Sequence, residues 1–280
     1  MIIITGARGF IGTNVLIELN NRKIFDIITV DAKNIDNNYI QNKDFELFLD
    51  KFELWNWLEI PKNIQRINGI IHLGACSDTS ESDEQYLTEN NYLYSKRLWE
   101  IATDKQIPFV YASSAATYGA GENGFSDDHG LVSTLKPINL YAKSKNDFDN
   151  WVLKQIKCPP KWIGLKYFNV YGPYENHKGK MSSVIYQAFE QIRKFNEMLL
   201  FKSYRKEYLN GEQKRDFIFV EDVAKISADL LLLDITSGIY NIGTGISNTF
   251  NDLAKFIFSA LNKKEVIKYI DMPKNFRDKY

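Results

Sequence analysis

Seven consecutive residues, Gly6-Ala7-Arg8-Gly9-Phe10-Ile11-Gly12, constrain this chain more than any others. They follow a short β-branched run, Ile2–Ile4, and precede Thr13–Asn21, where Val15, Leu16 and Leu19 have helical spacing. Glycines spaced GxxGxxG between a strand and a helix meet separate needs. Gly6 allows the tight turn, Gly9 lets backbone approach a pyrophosphate, and Gly12 permits close packing of helix on sheet. The helix N-terminus adds unpaired N–H groups and about half a positive charge, which suits an anion. Ile27–Val30 is a second β-branched run, closed by Asp31 about 19 residues after Gly12, where an acidic side chain can accept from an adenosine ribose. Lys33 lies just beyond and can meet a 2′-phosphate. Asp31 argues for NAD and Lys33 for NADP, so these residues leave the choice open.

Strand, glycine turn, helix and strand within about 30 residues make the βαβ unit of a parallel sheet. The alternation continues with strands at Ile70–Leu73, Phe109–Ala112 and Trp162–Tyr167 and helices at Tyr86–Thr103 and Asn139–Ile156. Asp36–Gln65, rich in Asn, Lys, Phe and Trp, is expected to hold a variable loop, a weak strand and a helix. Beyond Gly172 the order is less regular: helices over Ser182–Asn196, Asp222–Leu233 and Phe250–Leu261, extended segments over Phe217–Val220 and Ile239–Ile242. The expected fold is α/β, a doubly wound parallel sheet over residues 1–172 with a smaller α/β substrate-binding portion over 173–280. The boundary is soft and the two portions are expected to interleave.

Composition narrows the function classes. Lys+Arg 35 and Asp+Glu 35 cancel, so no electrostatic footprint for nucleic acid or an anionic membrane is present. Cys76 and Cys158 cannot make a disulfide framework, and His72, His129 and His177 have no metal-ligand spacing, so no metal is expected. The longest apolar runs, such as Leu230–Leu233, fall far short of the roughly 18 residues that span a bilayer. With no basic leader at the N-terminus, a cytoplasmic protein is expected.

The chemistry lies in the middle of the chain. Tyr141-Ala-Lys-Ser-Lys145 puts a phenol and an ammonium at i and i+4, on one helix face. An adjacent ammonium favours phenolate and lowers a pKa that is ordinarily about 10. A phenol so poised can pass a proton while a nicotinamide exchanges hydride. Ser114, at the carboxyl end of a parallel strand where ligands collect in such sheets, can hydrogen-bond the reacting oxygen.

With these motifs the sequence resembles the extended short-chain dehydrogenase/reductase superfamily, whose fold is of the Rossmann type. The resemblance is carried by Thr5-Gly6-x-x-Gly9-x-x-Gly12, Tyr111-Ala-Ser-Ser-Ala-Ala-Thr-Tyr-Gly119, Tyr141-x-x-x-Lys145, Tyr167-Phe-Asn-Val-Tyr-Gly-Pro173, Arg215-Asp-Phe-Ile-Phe-Val-Glu-Asp222 and Asn241-Ile-Gly-Thr-Gly245. Leu73-Gly-Ala-Cys-Ser77, Asn90-Asn-Tyr92-x-Tyr94-Ser-Lys96 and Glu175-x-His177-Lys-Gly179-x-Met181-x-Ser183 narrow it to the ADP-L-glycero-D-manno-heptose 6-epimerases. The resemblance implies inversion at C6″ of an ADP-heptose by transient oxidation with tightly held NADP, NAD being the other possibility, for lipopolysaccharide inner-core synthesis. It implies Tyr141, aided by Ser114 and Lys145, as the proton-transfer group for one face of that carbon and Lys178 for the other. Carried over by position, Phe10, Ile11, Asp31, Ala32, Leu73, Gly74, Ala75, Cys76, Ser77, Asn90, Lys145, Val170 and Lys178 line the cofactor beside Gly6, Gly9, Gly12 and Lys33. Asn169, Lys180, Gln187, Phe201, Arg215 and Tyr280 meet the substrate. Arg215 also makes sense by itself, since a guanidinium fork matches a diphosphate.

The chain departs from that family's pattern in places. Leu73 stands where an acidic residue is usual, Lys180 for a small residue and Gln187 for a histidine, and Lys206–Gln213 is an insertion. These departures bear on substrate detail. Relatives continue past the position of Tyr280, so further C-terminal residues are expected, and the family implies a homo-oligomer, with rings of five. Alternatives are a UDP-sugar 4-epimerase, which shares the superfamily motifs and needs no Lys178, and a non-catalytic dinucleotide-binding regulator, which often lacks the tyrosine. A 4,6-dehydratase fits less well, because Ala115-Ala116 occupies the place of its acidic residues.

Overall fold

A computed structural model describes residues 1–33, 39–204 and 206–273. In chain order its elements begin with β1 (Ile2–Thr5), α1 (Phe10–Asn21), β2 (Ile27–Asp31), β3 (Leu47–Asp50), α2 (Glu53–Glu59), α3 (Pro61–Ile64) and β4 (Gly69–His72). There follow α4 (Glu84–Leu87), a π-helical segment (Thr88–Leu93), α5 (Tyr94–Asp104), β5 (Phe109–Ser114), α6 (Leu140–Val152), β6 (Trp162–Tyr167) and β7 (Asn169–Tyr171). The remainder is α7 (Val184–Phe195), β8 (Met198–Phe201), β9 (Lys214–Phe219), α8 (Val220–Leu232), β10 (Gly238–Ile242), β11 (Ser247–Thr249), α9 (Phe250–Ala260) and β12 (Ile267–Ile270).

The chain forms two compact units. The first comprises Met1–Phe168 and Val220–Ile242; the second comprises Asn169–Phe219 and the stretch from Gly243 onward. The chain leaves the first unit after Phe168, and α8 and β10 return to it. The first unit is built on a seven-stranded sheet of order β10-β6-β5-β4-β1-β2-β3, parallel throughout. Strands covered on both faces lose their polar alternation, which is why Ile2–Thr5 and Gly69–His72 are buried at every position. Trp99 of α5 is the hub of a core cluster in the first unit. Its indole meets Phe109, Tyr111, Phe148, Trp151 and Trp162 edge-on, with centroids 5.4–6.5 Å apart, and each fully buried aromatic or aliphatic side chain of this kind contributes roughly 1.5–3 kcal/mol.

The second unit has its own smaller core, in which Ala188 and Ile192 of α7, Leu253 and Phe258 of α9, and Met198 and Leu200 of β8 pack together. α7 starts at the side-chain cap of Ser183 and α9 at a capping box of Thr249 and Asp252. β9 pairs antiparallel with β11 and parallel with β7, and β8 pairs parallel with β12.

Several boundaries move from the expected ones. α1 starts at Phe10, placing Gly12 inside the helix, and the helix expected over Tyr86–Thr103 contains the π segment. The murky stretch after the loop yields β3, α2 and α3, while β7, β8, β11 and β12 carry no strong sequence pattern and are seen only in the structure.

Candidate active site

The glycine turn is built as its spacing requires. Gly6 has φ +68°, and a Cβ there would lie 2.7–2.8 Å from the backbone of Leu73 and Gly74. At Gly12 a Cβ would lie 2.0 Å from the Gly6 carbonyl oxygen, so any side chain would separate α1 from the turn. Gly9 is the N-cap of α1 and offers no side chain to cap it, as suits a helix start that a phosphate approaches. Phe10 and Ile11 open that helix. This cradle fits the pyrophosphate of a dinucleotide.

Asp31 ends β2 and accepts the amides of Arg8 at 2.8 Å and Ala32 at 2.9 Å. Burial pushes its carboxyl up, opposed by those two amides and by the charges of Arg8 and Lys51. The Lys33 ammonium is paired with Glu53 at the surface, while its amide donates to Asp50 at 3.0 Å. Arg8, which sequence reasoning passed over, reaches the Lys33 carbonyl at 3.3 Å and lies 5.7 Å from the Phe48 ring centroid. Both its amide and its charge act on Asp31.

The loop after β4, carrying Leu73 to Ser77, is held by Asn91, another residue the sequence reading assigned no role. Buried Asn91 accepts the Cys76 amide at 2.8 Å, donates to the Cys76 carbonyl at 3.0 Å, and donates to Ser144 of α6 at 3.0 Å. The π segment puts Asn90 next to it, where Asn90 donates to Asn91 at 3.2 Å and accepts from Lys51 at 2.7 Å. π turns inside α-helices are frequent at functional sites. A second tie to the loop runs through His72, whose Nδ1 lies 2.6 Å from the Thr5 hydroxyl and Nε2 2.8 Å from that of Ser95; Gly74 donates to Thr5 at 3.0 Å.

Ser114 ends β5, and α6, capped by Asn139, presents Tyr141 and Lys145. Ser114 accepts the Ala116 amide at 3.1 Å and acts on the Tyr141 phenol by lowering its pKa. The expected electrostatics differ. Burial pushes the Tyr141 phenol above its ordinary value; the Ser114 hydrogen bond opposes this, and the Cys76 and Asp149 charges add to it. Lys145, expected to pull the phenol down, donates to the Ala112 carbonyl at 2.8 Å, and burial brings its own pKa down to about 8. Asp149, one more turn along the face of Tyr141 and Lys145, was the missed member of this series. It is completely buried and accepts Lys166 at 2.8 Å, Ser113 at 2.6 Å and Tyr111 at 3.0 Å.

The other assigned residues belong to the second unit. Asn169 and Val170 begin β7, and Asn169 donates to the Asp216 carbonyl at 3.0 Å, beside Arg215 on β9. The Asp216 carboxylate gathers the Thr244 amide and hydroxyl and the Gly245 amide at 2.7–3.0 Å. Lys178 and Lys180 lie in the 3₁₀ segment Asn176–Met181, and Gln187 donates to the carbonyls of Ser182 and Lys180 at 2.8 and 3.2 Å. Burial lowers the Lys178 pKa, with Glu175 opposing. Phe201 ends β8, on a different sheet from Asn169 and Arg215, and Tyr280 lies outside the described residues. The inserted stretch is fastened to α9, where Asn251 donates to the Asn210 carbonyl at 3.0 Å and to Glu212 at 2.6 Å.

A doubly wound sheet with this glycine cradle and a Ser–Tyr–Lys set at the carboxyl end of β5 defines a nicotinamide-dinucleotide enzyme acting on a carbinol carbon. Residues 2–243 match the NAD dependent epimerase/dehydratase family, and the chain belongs to it. The ADP-L-glycero-D-manno-heptose-6-epimerase of Fusobacterium nucleatum subsp. nucleatum is 42% identical over 290 residues, covering 100% of this chain and 87% of that protein. Its counterpart in Brachyspira hyodysenteriae is 42% identical over 287 residues with the same coverages. Among solved structures, the Helicobacter pylori ADP-L-glycero-D-manno-heptose-6-epimerase is 28% identical with a TM-score of 0.75, over 96% of this chain and 85% of that one. A UDP-N-acetylglucosamine 4-epimerase from Methanobrevibacter ruminantium, 22% identical with a TM-score of 0.80 over 98% and 86% of the two chains, shares the fold. No helix among the described residues is long and apolar enough to cross a membrane.

Proposed function

We propose that the protein inverts C6″ of ADP-D-glycero-D-manno-heptose to give the L-glycero epimer, using one bound NADP that is regenerated in each turnover. The observation that carries this reading is similarity along the whole chain to heptose 6-epimerases, joined to Ser114 at the carboxyl end of β5 and Tyr141 with Lys145 on α6, whose ammonium donates to the Ala112 carbonyl of β5. When bound, the nicotinamide supplies reversible hydride acceptance. Gly6, Gly9, Gly12 and the α1 amides hold the pyrophosphate, Asp31 with Arg8 the adenosine ribose, and the 73–77 loop with Asn90 the remaining length. Asn169, Lys180, Gln187, Phe201 and Arg215 meet the substrate, Arg215 taking its diphosphate bidentately. Ser114 would align the C6″ oxygen and Tyr141 would take its proton as the C6″ hydride passes to the nicotinamide, giving a ketone at C6″. Lys178 would exchange the proton of the hydroxyl on the opposite face, giving the inverted configuration when the carbonyl is reduced again. The enzyme is cytoplasmic on this reading, and a homo-oligomer, pentameric as the family resemblance implies.

The test is incubation with ADP-D-glycero-D-manno-heptose, following C6″ stereochemistry by NMR. Conversion to the epimer is expected. Unchanged heptose together with turnover of UDP-galactose would overturn the assignment in favour of a 4-epimerase. Tyr141→Phe should lower turnover by about 10²–10⁴-fold, the usual contribution of a general acid–base group, with NADP still bound; activity within a few-fold of wild type would remove Tyr141 from the mechanism.

A further inference from the structure

We propose that Glu175 is the positioning residue for Lys178: its carboxylate pins the turn that carries the lysine and sets the charge beside it. The inference rests on the reading of Lys178 as the second proton-transfer group. Glu175 is 2% exposed, and its side chain closes both ends of the segment. One oxygen accepts the Gly172 amide at 2.9 Å and the Ser183 hydroxyl at 2.9 Å, and the other accepts the Ser183 amide at 2.5 Å. Its own carbonyl accepts the Lys178 amide at 3.0 Å. Ser183 in turn caps α7 through the Tyr186 amide at 3.0 Å, so the turn is referenced to a twelve-residue helix.

The backbone between these anchors is unusual. Gly172 has φ +140°, Tyr174 φ +71° and Gly179 φ +52°. A tyrosine in the left-handed region is uncommon, and such conformations persist where the surroundings over-determine them. Glu175 supplies that constraint. Neutral acceptors could close the same hydrogen bonds. A carboxylate additionally carries a negative charge three residues from Lys178, and burying it is costly unless it is matched. Burial lowers the Lys178 pKa and Glu175 raises it. Glu175 acts on Lys178 in this way; His177 and Lys180 share the turn, and the first turn of α7 contributes Tyr186.

Glu175→Gln keeps the size of the side chain and removes its charge. Lys178 must then titrate at lower pH, by about 1 unit, the low end of what one nearby opposite charge does. Because Lys178 accepts a proton in its neutral form and donates in its charged form, its limb of the kcat–pH profile shifts to lower pH in either direction of the reaction. Glu175→Asp retains the charge and withdraws the anchor by one methylene, so kcat should fall by up to about 10²-fold, the scale of a 1 Å misplacement, with the limb unmoved. Profiles of wild type, both Glu175 variants and Lys178→Met are compared, alongside ¹³C-NMR titration of reductively methylated lysines with Lys178 assigned by its loss in Lys178→Met. A wild-type profile and an unshifted Lys178 resonance in Glu175→Gln overturn the proposal while an inactive Lys178→Met leaves the two-group mechanism standing. A fully active Lys178→Met overturns both. If Glu175→Gln does not fold, Glu175→Asp decides alone, and wild-type kcat in it refutes the pinning role.

Discussion

Lys166→Met tests the ion pair buried beneath the catalytic face of α6. Lys166 and Asp149 are both 0% exposed, with Nζ 2.8 Å from the carboxylate. Nζ also donates to Thr117 at 2.7 Å and lies 5.1 Å from the Tyr118 ring centroid. Methionine nearly fills the same volume, so the substitution chiefly removes charge. Asp149 keeps the Ser113 and Tyr111 hydroxyls but loses its ion-pair partner. Breaking one side of a buried pair costs about 3–5 kcal/mol, a large share of the roughly 5–15 kcal/mol by which a protein is stable. With about 2–4 °C lost per kcal/mol for a chain of this size, Tm should fall by roughly 6–20 °C. Urea unfolding of Lys166→Met, Asp149→Asn and the double variant completes the cycle. The double variant has no unpaired buried charge and should lose less than either single change. A loss below about 1 kcal/mol in Lys166→Met, or a double variant worse than the sum of the singles, would refute the reasoning.

Two further outcomes are expected. Burial holds the His72 imidazole down to about 3 from 6.5, the Lys145 charge adding to the effect. The unfolded chain takes this proton below about 6.5 and the folded chain only near 3, so stability falls as pH drops through that window, by up to about 1.4 kcal/mol per pH unit. Thermal melts across this range should show a shallower decline in His72→Gln than in wild type, and equal slopes would exclude His72 as a source. Asn91→Ala releases both polar groups of Cys76 and the Ser144 hydroxyl. A loss of roughly 2–3 kcal/mol is expected from unsatisfied buried groups, together with weaker NADP binding by calorimetric titration; unchanged values for both would mean the 73–77 loop does not depend on this clamp.

Some of this protein was determined by sequence alone, because the features concerned are local. The glycine turn needs Gly6 at positive φ and no Cβ at Gly12, and both demands act within a few residues. Strands buried on both faces must be apolar runs, so Ile2–Thr5 and Trp162–Tyr167 were readable without a partner. Tyr141 and Lys145 share a face because a helix repeats every 3.6 residues, and Asp149 could have been read from the same repeat.

Tertiary structure decided what depends on partners distant in sequence. Lys33 could not be known to pair with Glu53, nor Lys145 with the Ala112 carbonyl, because pairings across 20 and 33 residues leave no local pattern. Gly164 shows the same dependence: a Cβ there would lie 2.5 Å from the Tyr111 ring, so this glycine in β6 makes room for the phenol that donates to Asp149. The return of α8 and β10 to the first unit follows from β10 pairing with β6. The proton affinities of Tyr141, Lys145 and Lys178 were decided last, because burial outweighs the neighbouring charges visible in the sequence, and burial is a property of the folded chain as a whole.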